Sequence, residues 1–175
     1  MDDPIFVLQN LTVASGTRRL IEDVTFDVRA GEVLGILGPS GAGKSTLLRC
    51  LNRMVDLTPG LEVGGAVVFE GRNIRAPGTD VDALRERIGM LFQQPVVFPK
   101  SIYQNVIFGI KRLGRVPRHG WPAAAEEALR SAALWDEVKG RLHQPAARLS
   151  VGQQQRLCLA RTLAGKPGVL LMDEP

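Results

Sequence analysis

Three stretches of this 175-residue sequence predict an α/β fold. The apolar run Val33-Leu34-Gly35-Ile36-Leu37 leads into Gly38-Pro39-Ser40-Gly41-Ala42-Gly43-Lys44-Ser45-Thr46, and a helical pattern carrying Leu47, Leu48 and Leu51 follows. Strand, Gly-rich loop and helix are the setting in which G-x-x-x-x-G-K-[ST] binds phosphate. Val169-Leu170-Leu171-Met172 is a second buried-strand pattern and ends in Asp173-Glu174. Near the start, Val24-Thr25-Phe26-Asp27-Val28 alternates apolar and polar residues, the mark of a half-buried strand.

Taken in order, residues 5–13 read as a strand, Ser15-Gly16 as a turn, and residues 24–28 as the next strand. These two strands predict a small antiparallel sheet beside the nucleotide core. Residues 33–37 are expected to form a buried strand. Thr58-Pro59-Gly60 breaks the chain after the P-loop helix, and Gly65-Ala66-Val67-Val68-Phe69-Glu70-Gly71 is a strand ending in a turn. Thr79-Asp80-Val81-Asp82 reads as a capping box opening a short helix with Val81, Leu84 and Ile88 on one face. Ile88-Gly89-Met90-Leu91-Phe92 reads as a buried strand that delivers Gln93. Helices are expected over residues 101–110, from Pro122 to about 133, from Trp135 to Leu142, and from Ser150, a plausible N-cap, to about Ala164, where Gly165 and Pro167 stop the last one.

The length suits about one domain with room for a real core. A net charge of +4 suits phosphate ligands or a membrane surface, and no block of like charge marks a nucleic-acid tail. Cys50 and Cys158 lack metal-type spacing and read as buried free thiols. Met1-Asp2-Asp3-Pro4 has no signal-peptide character, and no apolar run approaches the ~20 residues of a membrane helix. A cytosolic chain is expected, with membrane attachment only through a partner.

The residue types explain the chemistry. Glycines let the loop backbone approach phosphate oxygens, and successive N–H groups at a helix N-terminus form an anion nest. Lys44 adds a flexible charge for the β- and γ-phosphates, and Ser45 offers a hydroxyl to Mg²⁺. The strand-end Asp173 is in the place where P-loop nucleotide hydrolases hold Mg²⁺, and Glu174 could accept a proton from attacking water.

These motifs, with Leu149-Ser150-Val151-Gly152-Gln153 opening the last helix just before the Asp-Glu strand, resemble the ATP-binding subunits of ABC transporters over essentially the whole chain. The resemblance implies a RecA-like P-loop core with an antiparallel β subdomain and a helical insert. It assigns residues 1–32 to the β part, 33–94 to the P-loop core, 95–165 to the helical subdomain and 166–175 to the Walker B strand. It identifies residues 149–153 with the LSGGQ signature and Gln93, in Leu91-Phe92-Gln93-Gln94-Pro95, with the Q-loop. It implies ATP and Mg²⁺ as cofactors: residues 38–46 on the nucleotide, Ser45, Gln93 and Asp173 on the metal, and Glu174 with Gln93 in catalysis. Ser150, Gly152 and Gln153 would meet the γ-phosphate of a second, head-to-tail subunit. The implied partners are transmembrane permease subunits and, indirectly, a periplasmic or extracellular solute-binding protein. No nucleic-acid partner is expected, and the implied location is the cytoplasmic face of the membrane.

Phe98-Pro99-Lys100-Ser101-Ile102-Tyr103-Gln104-Asn105-Val106, residues 133–143 and residues 153–161 are similar to the matching stretches of phosphate importers. The reading is therefore an importer ATPase, with phosphate as the solute. An importer for tungstate or an amino acid and a non-catalytic nucleotide-binding fragment stand as alternatives. A repair or translation ABC protein would need nucleic-acid-binding insertions, and none is visible. The sequence departs from the family pattern in three places. Val151 replaces a glycine of the signature, Ser15 stands where an adenine-stacking ring is usual, and the D-loop and switch histidine are expected beyond Pro175. His119 and His143 read as surface or packing residues.

Overall fold

The structure, a computed structural model, describes residues 3–174 and divides into two units, one running to Arg85 and the other starting at Glu86. Met1, Asp2 and Pro175, which belong to the expected β part and Walker B segment, lie outside the described residues. The first unit is built on a four-stranded antiparallel sheet of β1 (Pro4–Ser15), β2 (Arg18–Arg29), β3 (Leu61–Phe69) and β4 (Arg72–Asn73), in the order β2-β1-β3-β4. Gly16 and Thr17 form the two-residue loop between β1 and β2, with Ser15 opposite Arg18.

The buried face of β1 changes parity along the strand. Phe6 and Leu8 are buried, and so are Leu11 and Val13. Strict alternation would put one of these pairs on the outer face. The pairing of β1 with both neighbours is irregular between Leu8 and Thr12, and Asn10 sits there in the left-handed region, φ 49°. Its N–H donates to Thr25 Oγ1 at 2.9 Å and its amide to Asp23 Oδ1 at 2.6 Å, so the bulge is held by side chains of β2. Gly65 lies on the β3 side of this irregularity, with φ +80°, where a Cβ would come within 2.3 Å of the Asn10 carbonyl oxygen. This glycine therefore lies inside the strand. β3 starts at Leu61 rather than at the predicted Gly65 because the glycine pair accommodates the bulge instead of opening the strand.

The predicted strand at residues 33–37 has no sheet partner among the described residues. Val33 is 93% exposed and Leu37 95%. An apolar run of this kind is buried in a sheet only when neighbouring strands cover its edges and helices cover its faces. The loop that follows enters α1 (Lys44–Leu51), which buries Leu47, Cys50 and Leu51. Burial pushes the Cys50 thiol up to about 11, so it stays protonated and inert, as expected of a packed thiol. A short 3-10 turn (Met54–Leu57) follows. α2 (Val81–Arg87) spans the boundary between the units. Asp80 caps α2 rather than the predicted Thr79: Asp80 Oδ1 accepts from Ala83 N–H at 3.0 Å, while the Thr79 hydroxyl donates back to the Ala76 carbonyl.

In the second unit β5 (Ile88–Leu91) and β6 (Val169–Met172) pair in parallel, from Ile88 opposite Val169 to Leu91 opposite Met172. Its helices are α3 (Ile102–Leu113), α4 (Trp121–Ser131), α5 (Trp135–Val138) and α6 (Val151–Leu163). α3 turns Ile102, Val106 and Ile110 into a core shared with Leu129, Leu134, Val138, Leu157 and Ala160. Helix ends follow the sequence signals. Ser101 caps α3 in a capping box with Gln104, Gly114 ends it at φ 64°, and Pro122 sits in the first turn of α4. Cys158 is buried, as expected.

One polar side chain lies wholly inside this core. Asn105 accepts from Phe98 N–H at 2.8 Å and donates to the carbonyls of Phe98 at 3.2 Å and Ser101 at 2.9 Å. It fixes the segment that leads from β5 into α3. Asn105→Ala strands those backbone groups without partners, so it should lower stability by roughly 2–4 kcal/mol, read as a fall in the urea midpoint at unchanged slope.

Candidate functional site

The first unit supplies the phosphate loop. Gly41 and Gly43 hold positive φ of 80° and 90°, and Gly43 also has no room for a side chain: a Cβ there would sit 2.7 Å from the Leu20 carbonyl oxygen. Gly43 is the N-cap of α1 and offers no side-chain acceptor, so α1 begins without a side-chain cap. α3 and α6 differ, because both carry serine capping boxes. The Lys44 ammonium folds back over the loop and donates to the Gly38 and Pro39 carbonyls, both at 2.9 Å. Residues 38–46 thus bring backbone amides at a helix start and one ammonium together, a donor set suited to phosphate oxygens.

The second unit supplies the carboxylates. β6 ends at Met172, and the Asp173 N–H donates to the Leu91 carbonyl at 3.0 Å, extending the parallel pairing by one residue. Asp173 is buried. Glu174 follows in the left-handed region, φ 48°, and is exposed. Gln93, two residues past β5, donates its amide to Glu174 Oε2 at 2.5 Å, across 81 positions of sequence. Gln93, Asp173 and Glu174 are thus gathered at the carboxyl ends of two parallel strands, where open α/β sheets place ligand sites. Among the described residues no group of three or more His, Cys, Asp or Glu side chains forms a metal cage. A Mg²⁺ ion held by Gln93 or Asp173 would take further oxygens from nucleotide phosphates and water, its usual mode.

The signature stretch opens α6. Ser150 Oγ accepts from Gln153 N–H at 3.3 Å, and Gln153 Oε1 accepts from Ser150 N–H at 3.1 Å. This reciprocal cap refines the expectation that the Ser150, Gly152 and Gln153 amides are all offered to phosphate. Two of the three are already satisfied within the helix, which leaves the Gly152 N–H and the Ser150 hydroxyl. Val151 is 71% exposed, and its branched side chain adds no packing at the helix start.

Several residues around these groups have no local sequence signature. Glu137 of α5 accepts from Gln153 Nε2 at 2.7 Å and from Arg156 Nη1 at 2.6 Å, so it holds the signature glutamine across a gap of 16 positions. Further along α6, Gln155 donates to the Phe92 carbonyl at 3.2 Å and Arg161 donates to the Val96 carbonyl at 2.9 Å. Both anchor the backbone on either side of Gln93. Long-range pairs of this kind leave no spacing pattern. The only cue was the run Gln153-Gln154-Gln155-Arg156, unusually polar for a helix that has to pack. His143 is exposed with its ring 5.8 Å from that of Tyr103, and His119 is exposed, consistent with surface roles.

A family profile for ABC transporters matches residues 21–175. The chain belongs to the ABC transporter family. Two phosphate import ATP-binding proteins, from Streptococcus agalactiae serotype III (strain NEM316) and Streptococcus pyogenes serotype M1, are each 46% identical to it over 175 residues, all of this chain and 69% of theirs. Among solved structures, cbiO1 from Clostridium perfringens, part of the ABC transporter complex cbiONQ, superposes with a TM-score of 0.82 at 30% identity, over 99% of this chain and 66% of that one. A bacterial Atm1-family ABC exporter with ATP bound gives a TM-score of 0.83 at 28% identity, over 99% of this chain and 30% of that one. The P-loop α/β class expected from the sequence is therefore this ABC chain's fold, and its antiparallel sheet and helices are observed. Among the described residues no helix is long and apolar enough to cross a membrane.

The Glu137 carboxyl is held below its ordinary range, first by the hydrogen bond from Arg156 and then by that from Gln153. A depressed folded value stabilises the protein above the ordinary carboxylate range, and that contribution is lost as pH falls through the lowered value. The Tm of wild type should therefore exceed that of Glu137→Gln at pH 7, and the gap should close as pH falls through the lowered carboxyl range.

Proposed function

We infer that this ABC chain binds ATP with Mg²⁺ and hydrolyses it to drive an importer whose solute is inorganic phosphate. The observation that carries the catalytic part is the Gln93–Glu174 hydrogen bond beside the buried Asp173. The solute rests on 46% identity along the full length to proteins named for phosphate import, together with the stretch at residues 98–106. In this reading residues 1–32 are the β subdomain, 33–94 the P-loop core, 95–165 the helical subdomain and 166–175 the Walker B strand.

Each residue then has a physical task. The amides of residues 38–46 bind phosphate oxygens, and Lys44 exchanges the loop carbonyls it now contacts for β- and γ-phosphate. Ser45, Asp173 and Gln93 supply oxygens to Mg²⁺, which when bound neutralises phosphate charge and orients the nucleotide. With one Glu174 oxygen held by Gln93, the other is left to accept a proton from water. Positioned proton transfer of this kind is typically worth about 10²–10⁴-fold. The Ser150 hydroxyl and Gly152 N–H, at the positive end of α6, serve the γ-phosphate of a second subunit facing head to tail. The chain works at the cytoplasmic face of the membrane on transmembrane permease subunits, with a solute-binding protein reached through them.

Lys44→Ala should weaken ATP binding at least tenfold in a fluorescence titration, since phosphate charge loses its counter-ion. Equal affinity for the two proteins would remove the P-loop assignment. Glu174→Gln keeps the hydrogen bond from Gln93 through its amide oxygen but removes the basic oxygen. It should bind ATP like wild type and slow single-turnover hydrolysis by about 10²-fold or more. A mutant that turns over at the parent rate would reduce Glu174 to a strand-end carboxylate. Uptake assays with phosphate, tungstate and amino acids in the assembled transporter decide the solute.

A further inference from the structure

α3 and α6 open with the same capping box, and the two differ in one respect. In each, the serine N–H donates to the glutamine Oε1, at 3.2 Å for Ser101 and Gln104 and at 3.1 Å for Ser150 and Gln153. In each, the glutamine N–H donates to the serine Oγ, at 3.1 Å in α3 and 3.3 Å in α6. The side-chain NH₂ of Gln104 makes no further hydrogen bond among the described residues. That of Gln153 donates to Glu137 Oε2 at 2.7 Å. The box at α3 shows that a helix start closes without a carboxylate, so capping alone does not account for Glu137.

Glu137 is itself firmly placed. It lies on α5 between Leu134 and Val138, both fully buried in the core. Arg156 of α6 donates to Glu137 Oε1 and to the Ala133 carbonyl, both at 2.6 Å. Ala133 is in the left-handed region, φ 51°, at the turn between α4 and α5. One guanidinium thus ties that turn and the carboxylate to α6. It also offsets the negative charge that a carboxylate would otherwise present beside a phosphate site.

Donor and acceptor types then fix the geometry. An ionised carboxylate only accepts, so the Gln153 amide must turn its NH₂ toward Glu137 and its oxygen toward the Ser150 N–H. The flipped amide would set oxygen against oxygen and leave the Ser150 N–H facing a donor. With the box closed, Ser150 Oγ accepts from the Gln153 N–H, and its own hydrogen is left to donate away from the helix. We propose that Glu137 is a positioning residue for hydrolysis: by fixing the Gln153 amide it keeps the Ser150 hydroxyl aimed out of α6, at the γ-phosphate of the facing subunit. The proposal rests on the reading that the start of α6 meets that phosphate. It adds that the aim is set from α5, by a residue outside the signature stretch.

The test is a double-mutant cycle on ATP hydrolysis in the assembled transporter. Glu137→Ala should lower kcat at least about tenfold, with KM for ATP within about twofold of wild type, because the P-loop is untouched. Ser150→Ala should slow hydrolysis by a similar factor. Because Glu137 acts through Ser150, adding Glu137→Ala to Ser150→Ala should cost nothing further, whereas two independent structural losses would add. The exchange Glu137→Gln/Gln153→Glu keeps a donor facing an acceptor at each contact and should recover most of the lost rate. Lys139→Ala, which breaks the ion pair with Asp136 at the end of α5, should hydrolyse ATP like wild type. A full rate in Glu137→Ala, additive losses in the cycle, or an exchange variant no faster than Glu137→Ala overturns the proposal. A full rate in Ser150→Ala removes the reading of the α6 start, and the proposal with it. A slow Ser150→Ala beside a full-rate Glu137→Ala overturns the proposal alone.

Discussion

The placement of Gln93 depends on the grip of α6 on the chain around it. Gln155 and Arg161 lie on that helix, and each takes a backbone carbonyl, Phe92 on one side of Gln93 and Val96 on the other. Cys158, between them, puts its Sγ 3.5 Å from the same Val96 carbonyl. The Arg161 guanidinium also lies over the Phe98 ring at 4.4 Å. A segment held at successive turns of one helix cannot change shape without that helix moving. The position of Gln93, and with it the hydrogen bond to Glu174, is therefore coupled to the helix whose first turn carries the signature residues. Gln155 shows the cost of this arrangement: its Oε1 is buried with no hydrogen-bond partner among the described residues. An orphaned acceptor in a helix face otherwise well packed marks a residue whose donor function outweighs its own satisfaction.

Helix N-termini separate structural from chemical tasks. α3 and α6 begin with the same device, a serine that accepts from the third residue's amide and a glutamine that reaches back to the serine's own N–H. α1 begins at a glycine with left-handed backbone and no side-chain acceptor. A serine at position 43 would cap the helix but could not sit there, because its Cβ would meet the Leu20 carbonyl. The loop thus lacks a side-chain cap by a steric rule imposed from β2, and the positive dipole end of α1 attracts anions. At α6 the cap is made locally, and Glu137 secures the glutamine side chain from α5.

Much of this was legible in the sequence because it is local. The G-x-x-x-x-G-K-[ST] spacing, the Ser150 cap, the Pro122 helix start and the strand ending in Asp173-Glu174 each depend on neighbours within a few positions. The misses come from contacts between distant positions. Gly65 reads as the beginning of a strand, and only the bulge at Asn10 on β1 explains why the strand runs through it. Thr79 and Asp80 are both acceptable caps by type, and backbone geometry selects the second. The run at residues 33–37 has the composition of a central strand, but composition states a need for cover without naming what covers it; among the described residues nothing pairs with it. Glu137 and Arg161 were invisible because Gln153 and Val96, the groups they hold, lie 16 and 65 positions away.

The same distinction explains why the carboxylate end of the site is more informative than the phosphate loop. A Gly-rich loop with lysine declares phosphate binding whatever the reaction. Asp173 and Glu174 become chemically distinct only through tertiary context, although they are adjacent in sequence and identical in functional group. Asp173 continues the β5–β6 pairing and is buried, which suits a fixed cation ligand. Glu174 leaves the strand through a left-handed turn, is exposed, and keeps one oxygen on Gln93. A positive φ on a non-glycine residue costs free energy, roughly 1 kcal/mol or more, and persists where the surrounding structure enforces it. Here it turns the second carboxylate away from the strand line and toward the glutamine of the neighbouring strand. Two carboxylates that local sequence could not tell apart are thereby given separate environments, one buried at the strand end and the other exposed and held by Gln93.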